Sequence, residues 1–394
     1  MHILVVEDEA INRRMLSRTL ERWGHTVIAT MDGDGAWALL QKEQIHLVLS
    51  DWVMPRMTGV ELCRRIRAAK FPSYIYFILL TSKAKKDDLI EGLAAGADDF
   101  IVKPFDEGEL RARIQAGERL VNLERELQAR NRELSQAYDT IRKDLQAASQ
   151  MQQALLPSPS VVIPGIQCAW LFSPHTFVAG DIFNFHRLDE THVVFYMIDV
   201  AGHGVAAAMQ SVTLSRMLSP LPQQDSLLKY FVPDPPHYAI NPPEMVVRNL
   251  NERFQDEHDA LRYFTMVYGI VDLETNRVRL TQAGHPPLLH QRGATVTTVG
   301  AGGFPVGMLA GIEYECEECD FQPGDRLILY SDGVTECFNA EGTEFSSERL
   351  AARLRDGHAL ALQDTVNDIE HCLHQWRSAD SFDDDVTLLA LERV

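Results

Sequence analysis

Cysteine is scarce in this 394-residue chain: six are scattered along it, and the one close pair, Cys316 and Cys319, lies in an acidic, strand-like stretch with no second pair to match. That excludes a disulfide framework and leaves no complete zinc ligand set. Long hydrophobic runs are missing as well, none approaching the roughly 20 residues a membrane span needs. The start, MHILVVEDE, has no charged leader region and no small-residue cleavage site, so it reads as a buried strand. Positive charge is in short supply: 37 Lys and Arg against 56 Asp and Glu leave a net charge of -19. Nucleic acid and anionic membrane both demand a basic face, and neither is expected as a direct partner. No helix-turn-helix or basic tail follows the N-terminal region. A cytoplasmic location is expected.

What is present divides into three regions, and 45% hydrophobic residues are ample for two or three cores. From residue 1 to 120, the apolar runs ILVV, TVIA, LVLS, FILLT and DFIVKP alternate with amphipathic stretches. Such alternation is the signature of a doubly wound parallel α/β sheet, whose ligands bind at the C-terminal strand ends. Glu7 and Asp8 end the first run, Asp51 the third, Thr81 the fourth, and Lys103 the fifth. All the chemistry therefore falls on one edge.

From 107 to 156 proline is absent, and Leu120, Leu127, Leu134, Ile141, Ala148 and Leu155 recur every seven residues. This ladder predicts a long helix with a coiled-coil seam, and a homodimer formed through it. The other seam positions, Glu124, Asn131, Tyr138, Leu145 and Gln152, are only partly apolar, so the pairing should be modest and adjustable. Pro157 and Pro159 end the helix.

From 157 to 394 strand runs such as HVVFYMIDV, FTMVYGIVDL, RVRLTQAGH and RLILYSDGV mix with the helical segments AAAMQSVTLSRML and PPEMVVRNLNERFQDE. That mixture indicates an α+β domain of two packed β-sheets flanked by helices. The proline-rich stretch 219–243 reads as an irregular surface excursion. Four aspartates, Asp181, Asp199, Asp332 and Asp384, each stand where a strand-like run breaks, in VAGD, IDVAGHG, LYSDGVTE and DDDVTLL. Carboxylates so placed suit a two-metal hydrolase, because two hard cations need oxygen ligands converging from different strands. With the N-terminal acids, the chain has two candidate magnesium- or manganese-type pockets. One is suited to receiving a phosphoryl group and the other to removing one.

In the first region the acids at 7 and 8, LSDWVMPRMTG, LLTSK and KPF together resemble the flavodoxin-like receiver domain of two-component response regulators. The resemblance makes Asp51 the phosphoryl acceptor, with Glu7, Asp8, Asp51 and the backbone carbonyl of Val53 holding Mg2+. Thr81 would hydrogen-bond the phosphoryl group, Lys103 would pair with it, and Phe100 takes the place of the family's aromatic switch. A sensor histidine kinase or phosphotransfer protein is the implied donor. Glu7 replaces the commoner aspartate and keeps a hard oxygen ligand.

The third region resembles the PPM family of metal-dependent Ser/Thr phosphatases in its SpoIIE-like branch, through QMQQALLP, VAGDIFNF, IDVAGHGVAAAM, GGFPVGML, GDRLILYSDGVTE and DDDVTLLAL. By the family pattern Asp199 bridges two Mn2+ or Mg2+ ions, with Asp181 on one side, Asp332 and Asp384 on the other, and the Val200 carbonyl as a further ligand. Asp199 and Asp332 are thus the catalytic acids. His203 is a candidate proton donor, while His285 is expected to order its loop, and Asp383 and Asp385 to be solvated or supporting acids. Alanine stands in VAGD where relatives have glycine, and in IDVAGHG where many have serine. No arginine stands out as a phosphate ligand, so substrate binding is expected to rest on the metals. The whole resembles RssB-like regulators with a phosphatase output, whose usual substrate is a phosphorylated anti-sigma-factor antagonist. An alternative within that class is an adaptor that delivers a sigma factor to proteolysis through an inactive phosphatase fold; the four retained aspartates favour the enzyme.

Overall fold

The structure is a computed structural model, and it describes every residue except 70, 83–85, 159–160, 221–225, 256–262, 301 and 380. The chain separates into two compact units, Met1–Thr140 and Ile141–Val394.

In the first unit five strands, β1 (His2–Val6), β2 (Thr26–Thr30), β3 (Leu47–Asp51), β4 (Tyr76–Thr81) and β5 (Asp99–Val102), alternate with α1 (Ala10–Arg22), α2 (Gly33–Leu40), α3 (Gly59–Ala68) and α4 (Lys86–Ala94). The strands pair in parallel in the order β2-β1-β3-β4-β5. Every residue of β4 is buried, as an apolar strand covered on both faces must be. One face packs Leu4, Val48, Phe77 and Leu79 against α2 and α3, and the other packs Ile3, Leu47, Ile78 and Ile101 against Leu16, Leu20, Leu110 and Ile114. A capping box between Thr58 and Glu61 starts α3. Position 59 must be glycine, since a Cβ there would run into the Asp51 carbonyl.

Helix α5 (Glu107–Gln153) runs for 47 residues. Its first turns bury Leu110, Ile114 and Val121. Beyond them Leu123, Leu127, Leu134, Tyr138 and Ile141 are exposed.

The second unit holds two five-stranded sheets and a separate hairpin. Its strands are β6 (Ile166–Ser173), β7 (Ile182–Arg187), β8 (His192–Val200), β9 (Lys229–Phe231), β10 (Tyr238–Ile240), β11 (Phe264–Asp272), β12 (Arg277–Ala283), β13 (Leu288–Arg292), β14 (Thr295–Val299), β15 (Glu317–Asp320), β16 (Asp325–Tyr330) and β17 (Val386–Arg393). Helices α6 (Val205–Met217), α7 (Pro243–Arg253), α8 (Asp332–Thr335), α9 (Ser347–Asp356) and α10 (Leu362–Arg377) complete it. The antiparallel sheets run β15-β12-β11-β8-β7 and β14-β13-β16-β17-β6. Phe183, Phe195, Met197 and Val267 of one meet Leu327, Leu329, Leu389 and Leu391 of the other in a shared core. The outer face of the first sheet is covered by α6 and α7, that of the second by α9 and α10.

The stretch 219–243 departs from expectation. Rather than being wholly irregular, it contains the β9–β10 hairpin, where Lys229 lies over the Tyr238 ring. Pro159, Asp256 and Glu257, read above as helix-end residues, lie outside the described residues. Among the described residues no helix is long and apolar enough to cross a membrane.

Candidate active site

The parallel register brings the ends of β1, β3, β4 and β5 to one edge. There Lys103 Nζ donates to Glu7 Oε2 and to Asp51 Oδ2, both at 2.8 Å. Ligand oxygens of Glu7, Asp8 and Asp51 lie within 4.8 Å of one another. Burial raises the Glu7 pKa, and Asp51 and Asp8 add to it, while Lys103 opposes them. Burial alone would lower Lys103, but its bonds to Asp51 and Glu7 leave it raised. A carboxylate triad carrying one lysine keeps excess negative charge, which fits a divalent cation. Thr81 is fully buried at the end of β4, Phe100 is half-buried on β5, and Val53 is exposed. Arg13, not singled out in the sequence, donates from one guanidinium nitrogen to the carbonyls of Glu7 and Asp8. It fixes the backbone that presents the acid pair.

In the second unit the antiparallel registers do the corresponding work. Ile182 lies opposite Ile198, so Asp181 and Asp199 emerge side by side where β7 and β8 meet. Tyr330 lies opposite Leu388, which brings Asp332, at the start of α8, beside the 383–385 run. The two pairs act on each other: Asp199 is pushed up to about 7 by burial and then by Asp332, Asp384, Asp385 and Glu336. Burial likewise lifts Asp332 to about 6, with Asp384 and Glu336 adding to it. Asp181 is 1% exposed, its pKa is raised well above the usual carboxylate range by burial and Asp199, and its Oδ2 has no hydrogen-bond partner.

An orphaned carboxylate oxygen among like charges is costly unless a cation completes it. These residues therefore fit divalent metal. Among the described residues the receiver triad is the one group of three acids whose ligand atoms all lie within 4.8 Å of one another, so the phosphatase acids do not close around a single point. Gly180 sharpens the fit, because a Cβ there would stand 3.0 Å from the Val200 carbonyl oxygen and crowd the backbone atom expected as a ligand.

Asp383 and Asp385, indistinguishable in sequence, part company. Asp383 is exposed and paired with Arg377. Asp385 is buried and works as a clamp: Oδ1 accepts from the His175 amide at 2.7 Å, and Oδ2 from the Gly180 amide at 2.6 Å. It thereby ties the VAGD segment to the DDD segment. His285 is buried; its ring Nδ1 lies 2.9 Å from the Thr265 hydroxyl, beside Asp199 in register.

Gln152 corrects the seam reading. It is not available to a helix partner but buried, with Oε1 accepting from the Ala179 amide at 2.9 Å, while Nε2 donates to the Ala179 carbonyl at 2.7 Å and to Ser211 Oγ at 3.0 Å. The last turn of α5 is thus bonded to the backbone two residues from Asp181.

Comparison with known proteins agrees with this geometry. Residues 3–115 match the response regulator receiver domain model, and residues 189–394, more than half the chain, match the model for Stage II sporulation protein E. The chain belongs to the SpoIIE family. It is a receiver fused to a PPM-type phosphatase domain. Over 114 residues the receiver is 40% identical to the phosphate regulon transcriptional regulatory protein PhoB of Rhizobium meliloti, covering 29% of this chain and 50% of that one. Over 199 residues the SpoIIE-family part is 27% identical to the phosphoserine phosphatase RsbP of Bacillus subtilis, covering 50% of this chain and 46% of RsbP. The chain thus spans about half the length of these curated relatives. The SiaA-PP2C domain of Pseudomonas aeruginosa has the same fold, with TM-score 0.55 and 20% identity over 66% of this chain and 98% of that domain.

Proposed function

We propose that this SpoIIE-family chain accepts a phosphoryl group from a histidine kinase or phosphotransfer protein on Asp51, and that its output is metal-dependent dephosphorylation of a phosphoserine or phosphothreonine protein. The observation that carries the enzyme reading is the buried Asp181 Oδ2, without a hydrogen-bond partner, beside an Asp199 that Asp332 and Asp384 in turn press on, a pit that divalent cations would complete. By family pattern the substrate is an anti-sigma-factor antagonist. A receiver and a phosphatase in one chain support this reading, as does the likeness to RsbP.

In the receiver, Glu7, Asp8, Asp51 and the Val53 carbonyl would hold Mg2+. Lys103 neutralises the anion that forms on Asp51, Thr81 contacts its oxygens, and Phe100 senses the change. In the phosphatase, Asp181, Asp199, Asp332, Asp384 and the Val200 carbonyl would hold two Mn2+ or Mg2+ ions. Two ions bound there supply positive charge for the phosphoryl oxygens and lower the pKa of the attacking water. The protein's own share is orientation: Asp385 and Gln152 hold the backbone at Ala179 and Gly180, and His203, just before α6, would hand a proton to the departing serine oxygen. We further propose that α5 pairs with a second copy along its open heptad stripe, and we place the receiver at 1–120, the linker at 107–156 and the phosphatase domain at 157–394.

Hydrolysis of a phosphoserine peptide with and without Mn2+ tests the enzyme reading. Asp332→Ala should lose at least about a hundredfold in rate, as expected when a group stabilising the transition state is removed. Equal rates for variant and wild type would favour the adaptor. Acetyl phosphate should label wild type and leave Asp51→Asn unlabelled, read by intact mass.

A further inference from the structure

Resting on the phosphatase reading, we infer that His175 binds the phosphoryl group of the substrate, in the role for which the sequence offers no arginine. His175 follows β6 at the rim of the acid pit, and three independent contacts fix it there. Its amide donates to Asp385 Oδ1 at 2.7 Å, and the same carboxylate holds Gly180 next to Asp181. Its ring Nδ1 lies 2.8 Å from the Phe382 carbonyl. A carbonyl only accepts, so Nδ1 carries the hydrogen and Nε2 is the nitrogen left for a ligand. The ring centroid stands 6.5 Å from that of His203, at 74° to it. The two imidazoles thus stand together, one after β6 and one before α6, and both are exposed.

The charge arrangement asks for such a group. The strongest influences on Asp199 after burial are four carboxylates. Bound cations offset those acids, and a phosphoryl dianion then brings further negative charge whose outward oxygens need donors from the protein. Arg377 is committed to Asp383 and to the Ser381 carbonyl. A phosphoryl oxygen that reaches the His175 ring would share a hydrogen with Nε2.

The test uses the full chain loaded with Mn2+ and inorganic phosphate as the probe, measured by calorimetry, alongside kinetics on a phosphoserine peptide. A hydrogen bond to a charged phosphate is worth enough that His175→Ala should weaken phosphate binding about tenfold. KM should rise by the same factor, with kcat changed less than about twofold. His175→Arg should recover most of the loss, and Mn2+ affinity should be equal in all three proteins. Unchanged phosphate affinity in His175→Ala overturns the inference. So does a loss of Mn2+ affinity in step with phosphate affinity, because His175 would then serve only to seat Asp385. A wild type that binds phosphate yet hydrolyses no phosphopeptide defeats the phosphatase reading, while the phosphate affinities still decide His175.

Discussion

Asp181, Asp199, Asp332 and Asp385 all have pKa values raised by burial, and the neighbouring carboxylates add to the rise. The unfolded chain would titrate such groups near pH 4. The metal-free folded state therefore binds more protons than the unfolded state above that point. Stability contributed by these groups is complete below about pH 4 and is lost as pH rises through the folded values, about 6 for Asp332 and about 7 for Asp199. Without metal, the second unit should melt at least about 5 °C lower at pH 8 than at pH 5, and Mn2+ at pH 8 should restore the difference. Calorimetric melts in chelator and in Mn2+ measure this; a melting point that rises with pH in chelator would refute the reading of the pit. The four ligand candidates could be picked out in the sequence because each stands where an apolar strand run breaks, Asp181 and Asp384 just before β7 and β17, Asp199 near the end of β8 and Asp332 just after β16. Asp385 could not, because three adjacent aspartates share one local pattern and only the β16–β17 register turns one inward to Gly180 and His175.

At the scale of elements, the parallel strands of the receiver and the helix over 107–153 were readable from periodicity alone, since apolar period and uninterrupted length each have one physical solution. The hairpin within 219–243 was not, because its strands are three residues long and proline surrounds them. Gln152 was misread for a different reason: a heptad pattern reports which face a residue occupies, not which partner covers that face. Along the rest of the stripe, Leu127 is 55% exposed and Leu134 70%. Leaving such side chains in water forgoes roughly 1.5–3 kcal/mol each that burial would supply. Leu127→Glu with Leu134→Glu would oppose like charges across a parallel pair. Sedimentation should show wild type as a dimer and the double variant shifted at least about tenfold toward monomer. A wild-type monomer at tens of micromolar would retire the pairing. Melting of the receiver unit should stay unchanged, since neither side chain belongs to its core.

For the whole molecule, among the described elements, α5 is the one that runs from the first unit into the second: its first turns belong to the receiver core, and Gln152 near its end bonds the backbone beside Asp181. A continuous helix of this kind can carry a coupling free energy between sites, and such coupling is reciprocal for binding. If a phosphoryl mimic on Asp51 changes Mn2+ affinity at the phosphatase pit, Mn2+ must change the affinity for that mimic by the same factor and in the same sense. Beryllofluoride with Mg2+ supplies the mimic, since it occupies an acceptor aspartate at equilibrium without forming a labile ester. Couplings between sites commonly amount to about 5- to 150-fold, and a value in that range is expected here. Because Mn2+ can also enter the receiver, the Mn2+ arm is referred to Asp332→Ala, which removes one proposed ligand of the pit and leaves the receiver residues unchanged. Two glycines inserted after Arg130 interrupt the helix without touching either group of acids, and should bring the factor close to one while leaving each isolated affinity in place. Coupling that survives the insertion would show that the message does not travel along α5; equal affinities in the uninterrupted chain, with and without the mimic, would show that the receiver does not act on the metal site at all.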